Sequence, residues 1–213
     1  MTENAPGGDR PATLEDIRGI YADQADQFDR LDVLNRLLTG RFRRRLFQRA
    51  EGRVLDVACG TGTNRRYVPG ECAYVGVDLS PAMLEKARRR FEEYGFGGTL
   101  TEMDAQELAF ADDSFDTVLS SLSTCTFPDP DAALGEMARV CRPDGKILLL
   151  EHGRSDVEAI GRFQDWRAQA HYERHACRWN QEPVEVVRGA GLTVERASTA
   201  LFGIVTAIEA RPE

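Results

Sequence analysis

The chain has 213 residues, 42% of them hydrophobic and 29% charged, which suits one packed α/β domain and excludes wholesale disorder. No apolar run approaches the roughly 20 residues that span a bilayer, and the first residues lack the apolar stretch of a signal peptide, so the expected location is cytoplasmic. A net charge of −8 argues against a duplex nucleic-acid binder, which needs a basic footprint, and no nucleic-acid partner is expected.

Residues 1–12, rich in Gly, Pro and Asn, read as a disordered leader, with a single domain over 13–213. Thr13 and the acids Glu15 and Asp16 start a helix that runs to about Asp26. A second helix covers about Arg30 to Ala50, and its residues Leu31, Leu34, Leu37, Leu38, Phe42 and Leu46 recur at helical spacing, which predicts one buried face. Together residues 13–50 form a helical N-terminal lid.

From Arg53 the pattern changes. Val54 to Ala58, Ala73 to Val77, Thr99 to Met103, Phe115 to Ser120 and Lys146 to Leu150 read as strands. Between them lie helices from Pro81 to about Tyr94, capped by Ser80, and from Asp131 to Val140, ended near Pro143-Asp144-Gly145. A long helix from about Val157 to Ala176 and a shorter one from Pro183 to Ala190 make up a helical acceptor-side segment, 153–191. Thr193–Ala197 and Ile204–Ala210 are closing strands, within 192–213. The alternation over 51–152 predicts a mostly parallel sheet of seven strands with helices on both faces, a Rossmann-like α/β fold that binds ligands beyond the carboxyl ends of its strands.

The informative residues stand at those strand ends. Asp56-Val57-Ala58-Cys59-Gly60-Thr61-Gly62 follows the first strand, and its glycines let a ligand approach the main chain closely. Arg65 replaces the third glycine of a dinucleotide fingerprint and the lysine of a phosphate loop is absent, so a cofactor without a pyrophosphate is expected. Asp78 ends the second strand 22 residues after Asp56, where a carboxylate accepts hydrogen bonds from ribose hydroxyls; a turn carboxylate is the alternative. Asp104 and Ala105 follow the third strand, at the adenine edge, and Ser120-Ser121-Leu122 close the fourth, under the cofactor's reactive end.

The blocks DVACGTG (56–62), VGVDLSPAML (75–84), MDAQELAFADDSFDTVLSSL (103–122) and RVCRPDGKILLLEH (139–152) resemble the class I S-adenosylmethionine-dependent methyltransferases, above all the quinone-biosynthesis C-methyltransferases. The resemblance implies a loop of Asp56, Ala58, Gly60 and Gly62 around the methionine part of S-adenosylmethionine. It places Asp78 on ribose, with Leu79 and Met83 near adenine. Asp104 and Ala105 hold the adenine amino group, Ser120 lines the methyl channel, and Tyr21 with Phe28-Asp29 forms an aromatic lid. Ala58 departs from the commonest pattern, which has glycine there. EHGRS (151–155) and ACRWN (176–180) are also similar to methyltransferase-like thiol S-methyltransferases.

Methyl transfer needs a base only when the acceptor must lose a proton. His152 is the candidate base, with a strand-end histidine bonded to nearby backbone as the alternative. Trp166, His171, Tyr172, His175, Cys177, Arg178, Trp179 and Asn180 form a second cluster. His171, His175 and Cys177 have zinc-ligand spacing, but no fourth ligand is near and no metal is expected; the cluster reads as acceptor-pocket wall or helix-end packing. Five cysteines with no Cys-x-x-Cys pair describe no disulfide framework. Arg41, Arg43, Arg44 and Arg45 lie on an amphipathic helix that suits either anionic lipid or pairing with local acids. The expected activity is methyl transfer from S-adenosylmethionine, releasing S-adenosylhomocysteine, to a quinone-like ring, a phospholipid amine, a thiol or a secondary metabolite. An RNA or protein methyltransferase, or a non-catalytic adenosyl-ligand binder, are the alternatives.

Overall fold

The computed structural model describes residues 12–213; the expected leader, apart from Ala12, lies outside them. Seven strands form one sheet in the order β3-β2-β1-β4-β5-β7-β6. They are β1 (Arg53–Val57), β2 (Ala73–Asp78), β3 (Thr99–Glu102), β4 (Phe115–Ser121), β5 (Cys141–His152), β6 (Thr193–Ala200) and β7 (Val205–Arg211). Strands β1 to β5 pair in parallel, and β7 runs antiparallel between β5 and β6. Strand order reverses between β1 and β4, so their following loops part and open a crevice at the carboxyl edge.

The central strands β1, β4 and β5 are largely apolar because both of their faces are covered. Leu55, Val57, Val118, Ile147 and Leu149 point to one face, against Leu134 and Met137 of helix α4 (Pro130–Val140). Val54, Leu119, Leu148 and Leu150 point to the other, against Leu46 and Phe47 of α2 (Asp32–Phe47) and Phe91 of α3 (Pro81–Tyr94). A sheet buried on both faces has no polar side to show. Strand β5 begins at Cys141, upstream of the expected Lys146, and a register shift opposite Phe115 and Thr117 absorbs the Pro-Asp-Gly segment.

Helix α1 (Leu14–Arg30) starts as expected: Thr13 and Asp16 form a reciprocal capping box. It continues past Asp26 because its end is tied down. Arg90 of α3, itself buried, bonds Asp29 at 2.9 Å and Asp32 at 3.1 Å, and Lys86 pairs with Asp26 at 2.5 Å. Ala12 is also fixed, donating its N–H to the Tyr172 hydroxyl at 2.8 Å. The predicted buried face of α2 is a correction. Leu46 is buried, but Leu31, Leu34, Leu37 and Leu38 are exposed, Leu37 by 76%. Only the carboxyl end of α2 lies over the sheet; its first turns run past it. Helices α5 (Glu158–His175) and α6 (Pro183–Gly189) complete the domain. No helix of the described residues is long and apolar enough to cross a membrane.

Candidate active site

A cleft of about 1060 Å³, part of it open to solvent, lies at the carboxyl ends of β1, β2 and β4, under α1 and α2. Of the residues singled out in the sequence, Tyr21, Ala58, Gly60, Asp78, Leu79, Met83, Asp104 and Ala105 line it. Asp56, Gly62, Ser120 and His152 do not.

The loop after β1 makes its turn with three left-handed residues: Ala58 (φ 54°), Gly60 (φ 55°) and Gly62 (φ 74°). A side chain at Gly62 would meet Phe91 at 2.9 Å, whereas one at Gly60 would meet nothing within 4 Å and would instead fill the cleft. Asp78 holds the loop from the next strand. Its Oδ2 accepts the Gly60 N–H at 2.8 Å and its Oδ1 the Ser80 N–H at 2.9 Å. Burial raises its pKa, but the carboxylate keeps unused lone pairs toward the cleft.

Asp56 sits behind this loop, fully buried, accepting from Asn64 Nδ2 at 3.0 Å and from the Tyr74 hydroxyl. Burial pushes its carboxyl up to about 7. It touches the cleft only through Asn64, which lines it. Ser120 likewise faces inward: its Oγ donates to the Val57 carbonyl at 2.6 Å, tying β4 to β1, while Ser121, Leu122 and Ser123 reach the cleft. Asp104 accepts from the Gln106 N–H at 2.9 Å, a local turn that fixes its carboxylate beside Met103 and Ala105. Tyr21 stacks on Phe28 with ring centroids 5.8 Å apart, and both line the cleft.

One arginine is placed differently from the expectation of an outward basic face. Arg43 is 3% exposed and lines the cleft. Asn35, Thr39 and Arg43 recur every fourth residue on the inner face of α2. Arg43 Nε donates to Thr39 Oγ1 at 3.0 Å, and Nη1 donates to Ser121 Oγ at 2.6 Å and to Asn64 Oδ1. These partners are neutral, and among the described residues no carboxylate lies within ion-pair distance of Arg43. Burial lowers the Arg43 pKa, and Asp56, Asp32 and Glu151 offset this only from beyond contact, so a carboxylate in the cleft would be its first direct ion-pair partner. The cleft thus carries a carboxylate with free lone pairs and a buried guanidinium that no carboxylate pairs with directly. That donor set fits S-adenosylmethionine, whose ribose hydroxyls and methionine carboxylate are its complements.

A methyltransferase-domain profile matches residues 55–149. The chain is 32% identical to a ubiquinone/menaquinone biosynthesis C-methyltransferase of Bdellovibrio bacteriovorus, over 73% of this chain and 69% of the relative. The chain belongs to the class I S-adenosylmethionine-dependent methyltransferases. It is also 36% identical to a phosphatidylethanolamine N-methyltransferase of Cereibacter sphaeroides, over 58% of this chain and 66% of the relative, just under two thirds of that protein's length. In fold it is similar to the methyltransferase in a complex with the Haloferax volcanii Trm112 activator. The TM-score is 0.71 at 22% identity, covering 91% of this chain and 98% of that one.

Beyond the cleft, His152 has a different environment from that of a free base. Its Nε2 lies 3.2 Å from Cys125 Sγ and 3.4 Å from Cys177 Sγ, and the two sulfurs are 3.3 Å apart. The hydrogen bond shared by the two thiols, with help from His152, pulls Cys177 down, while the same bond and burial push Cys125 up. Burial lowers the pKa of His152, but Cys177 and Glu151 outweigh it and the net shift is upward. His171 and His175, noted for their spacing with Cys177, lie with ring centroids 4.7 Å apart, and a hydrogen bond links His171 to Cys177. His171 stacks on Trp179 at 4.2 Å and His175 Nδ1 approaches Gln24 Nε2 at 3.4 Å. Trp166, expected in the pocket wall or a helix-end packing, is 75% exposed on α5.

Proposed function

We propose that this chain transfers the methyl group of S-adenosylmethionine to a small apolar or amphiphilic acceptor met at a lipid surface, releasing S-adenosylhomocysteine. The cofactor supplies a methyl on a sulfonium, an already activated leaving group, so the protein's part is alignment and exclusion of water. Asp78 would take the ribose hydroxyls and Arg43 the methionine carboxylate. Leu79 and Met83 would pack on the adenine ring, with Asp104 and Ala105 at its amino edge. Tyr21 and Phe28 would cover the cofactor, and the acceptor would enter along Thr126, Phe127 and Pro128, which complete the cleft wall.

The observation that carries the acceptor class is the two-faced helix α2. Its inner face holds Asn35, Thr39 and Arg43 over the cleft. Its outer face exposes Leu31, Leu34, Leu37 and Leu38 beside the exposed Arg41, Arg44 and Arg45. An apolar stripe flanked by arginines lies well in the headgroup region of an anionic bilayer, with the cleft directly beneath. The names of two relatives, one for phosphatidylethanolamine and one for a quinone, are consistent with an acceptor of this kind. Sedimentation with anionic and zwitterionic vesicles tests the reading. Wild type should sediment with anionic vesicles and Leu37→Glu should stay in solution. Equal recovery of both proteins in the supernatant would overturn the lipid-surface assignment.

A further inference from the structure

The Cys125, His152 and Cys177 side chains come from three separate segments: the loop after β4, the end of β5 and the turn after α5. Their sulfur and nitrogen atoms form a near-equilateral triangle with edges of 3.2, 3.3 and 3.4 Å. A tetrahedral ion with bonds of about 2.3 Å to sulfur and about 2.0 Å to nitrogen needs edges of roughly 3.5–3.8 Å. The three atoms therefore have to separate by only a few tenths of an ångström to seat one.

The supporting shell is already in place. His152 also bonds the backbone of Trp179. With Nε2 toward the sulfurs, Nδ1 is the atom left for that carbonyl, which fixes the tautomer whose Nε2 lone pair points at the trio. Ala176, at φ 49°, caps α5 and turns Cys177 inward. Arg178 then staples the two cysteine segments, its N–H donating to the Cys125 carbonyl at 3.0 Å and its guanidinium to the Phe127 carbonyl at 2.8 Å. A disulfide would need only the two sulfurs; it gives no role to an imidazole equidistant from both. Two thiolates and a neutral imidazole around a divalent ion also sum to zero charge, the arrangement that burial favours.

We propose that Cys125, His152 and Cys177 form a site for a thiophilic divalent cation of the zinc class. Its fourth position is left to a group from the cleft side, where Tyr21 lies within electrostatic reach of both sulfurs. None of its three ligands lines the cleft, so cation binding can be read without the cofactor.

The test is titration of the reduced, full chain with Co²⁺ in the absence of oxygen and of any methyl donor. One equivalent should give thiolate-to-cobalt charge-transfer absorption and intense tetrahedral visible bands, and Zn²⁺ should bleach both. Cys125→Ser and Cys177→Ser should each weaken Co²⁺ binding roughly tenfold or more. In case a serine variant misfolds, alkylation of wild type with and without Zn²⁺ reads the same site. Zn²⁺ should shield Cys125 and Cys177 and leave the labelling of Cys59, Cys72 and Cys141 unchanged. Folded, reduced wild type that develops no charge-transfer band, or Zn²⁺ that shields neither thiol, would overturn the proposal. Because no methyl donor is present, failure here leaves the proposed methyl transfer standing, and the converse also holds.

Discussion

Asp78→Ala is the substitution whose effect follows most directly from the geometry. Each Asp78 oxygen accepts one backbone N–H, from Gly60 or Ser80, and each keeps acceptor capacity toward the cleft. Two ribose hydroxyls would donate to those remaining lone pairs. A hydrogen bond to a charged group contributes about 1.5–3 kcal/mol net, and neighbouring bonds to one group are not additive. The two bonds together should therefore contribute at least what one does, about 1.5–3 kcal/mol, a loss of roughly 10- to 150-fold in affinity for S-adenosylhomocysteine. The orphaned Gly60 and Ser80 N–H groups lower stability in both the free and the bound protein, so most of that cost cancels from the binding difference. Titration calorimetry of both proteins, with circular dichroism to confirm the fold, measures the change. An analogue lacking the ribose 2′-hydroxyl should bind wild type more weakly but bind the variant as well as the parent ligand. Unchanged affinity in a folded Asp78→Ala protein, or equal sensitivity of both proteins to the analogue, would refute the ribose assignment.

Other substitutions probe the rest of the cleft. Arg43→Met should weaken S-adenosylhomocysteine binding by about 1.5–3 kcal/mol, and analogues without the carboxylate should no longer distinguish it from wild type; full affinity in calorimetry would remove Arg43 from the site. Ala58→Gly relieves a left-handed alanine that costs about 1–2 kcal/mol, part of it offset by glycine's greater chain entropy, so the melting temperature should rise by a few degrees with cofactor affinity kept. A lower melting temperature would mean that the Ala58 methyl packs favourably enough to outweigh the strain. Asp56, raised by burial from the ordinary 3.8 to about 7, binds more protons folded than unfolded between those values. Its contribution to stability is therefore present at low pH and is lost as pH rises toward 7. Asp56→Asn should flatten that part of a melting-temperature profile; a profile parallel to wild type would show that Asp56 titrates normally.

The sheet was legible because burial on both faces leaves runs such as Lys146 to Leu150 almost wholly apolar, and because turn residues mark the ends. Asp78 was legible because a carboxylate at the end of β2 has one natural ligand direction. The failures have physical causes. Periodicity in α2 shows that one face is apolar, not that anything covers it, and the first turns of the helix outrun the sheet. Among the arginines of residues 41–45 nothing local separates Arg43 from its neighbours; its inward direction is set by where Leu46 and Phe47 anchor the helix. The His171–His175 pair, by contrast, packs the end of α5 against Gln24 and Trp179, the helix-end packing its spacing allowed. The cysteine–histidine trio spans residues 125 to 177, and only the convergence of β4, β5 and the α5 cap brings it together.

Methyl transfer from S-adenosylmethionine to an apolar or amphiphilic acceptor is tested directly by incubating the purified protein with S-adenosylmethionine labelled in its methyl group and a fractionated extract of the source cell. Label should enter the organic-soluble fraction and be lost in Asp78→Ala at limiting cofactor. Label confined to the aqueous small-molecule, RNA or protein fraction would contradict it.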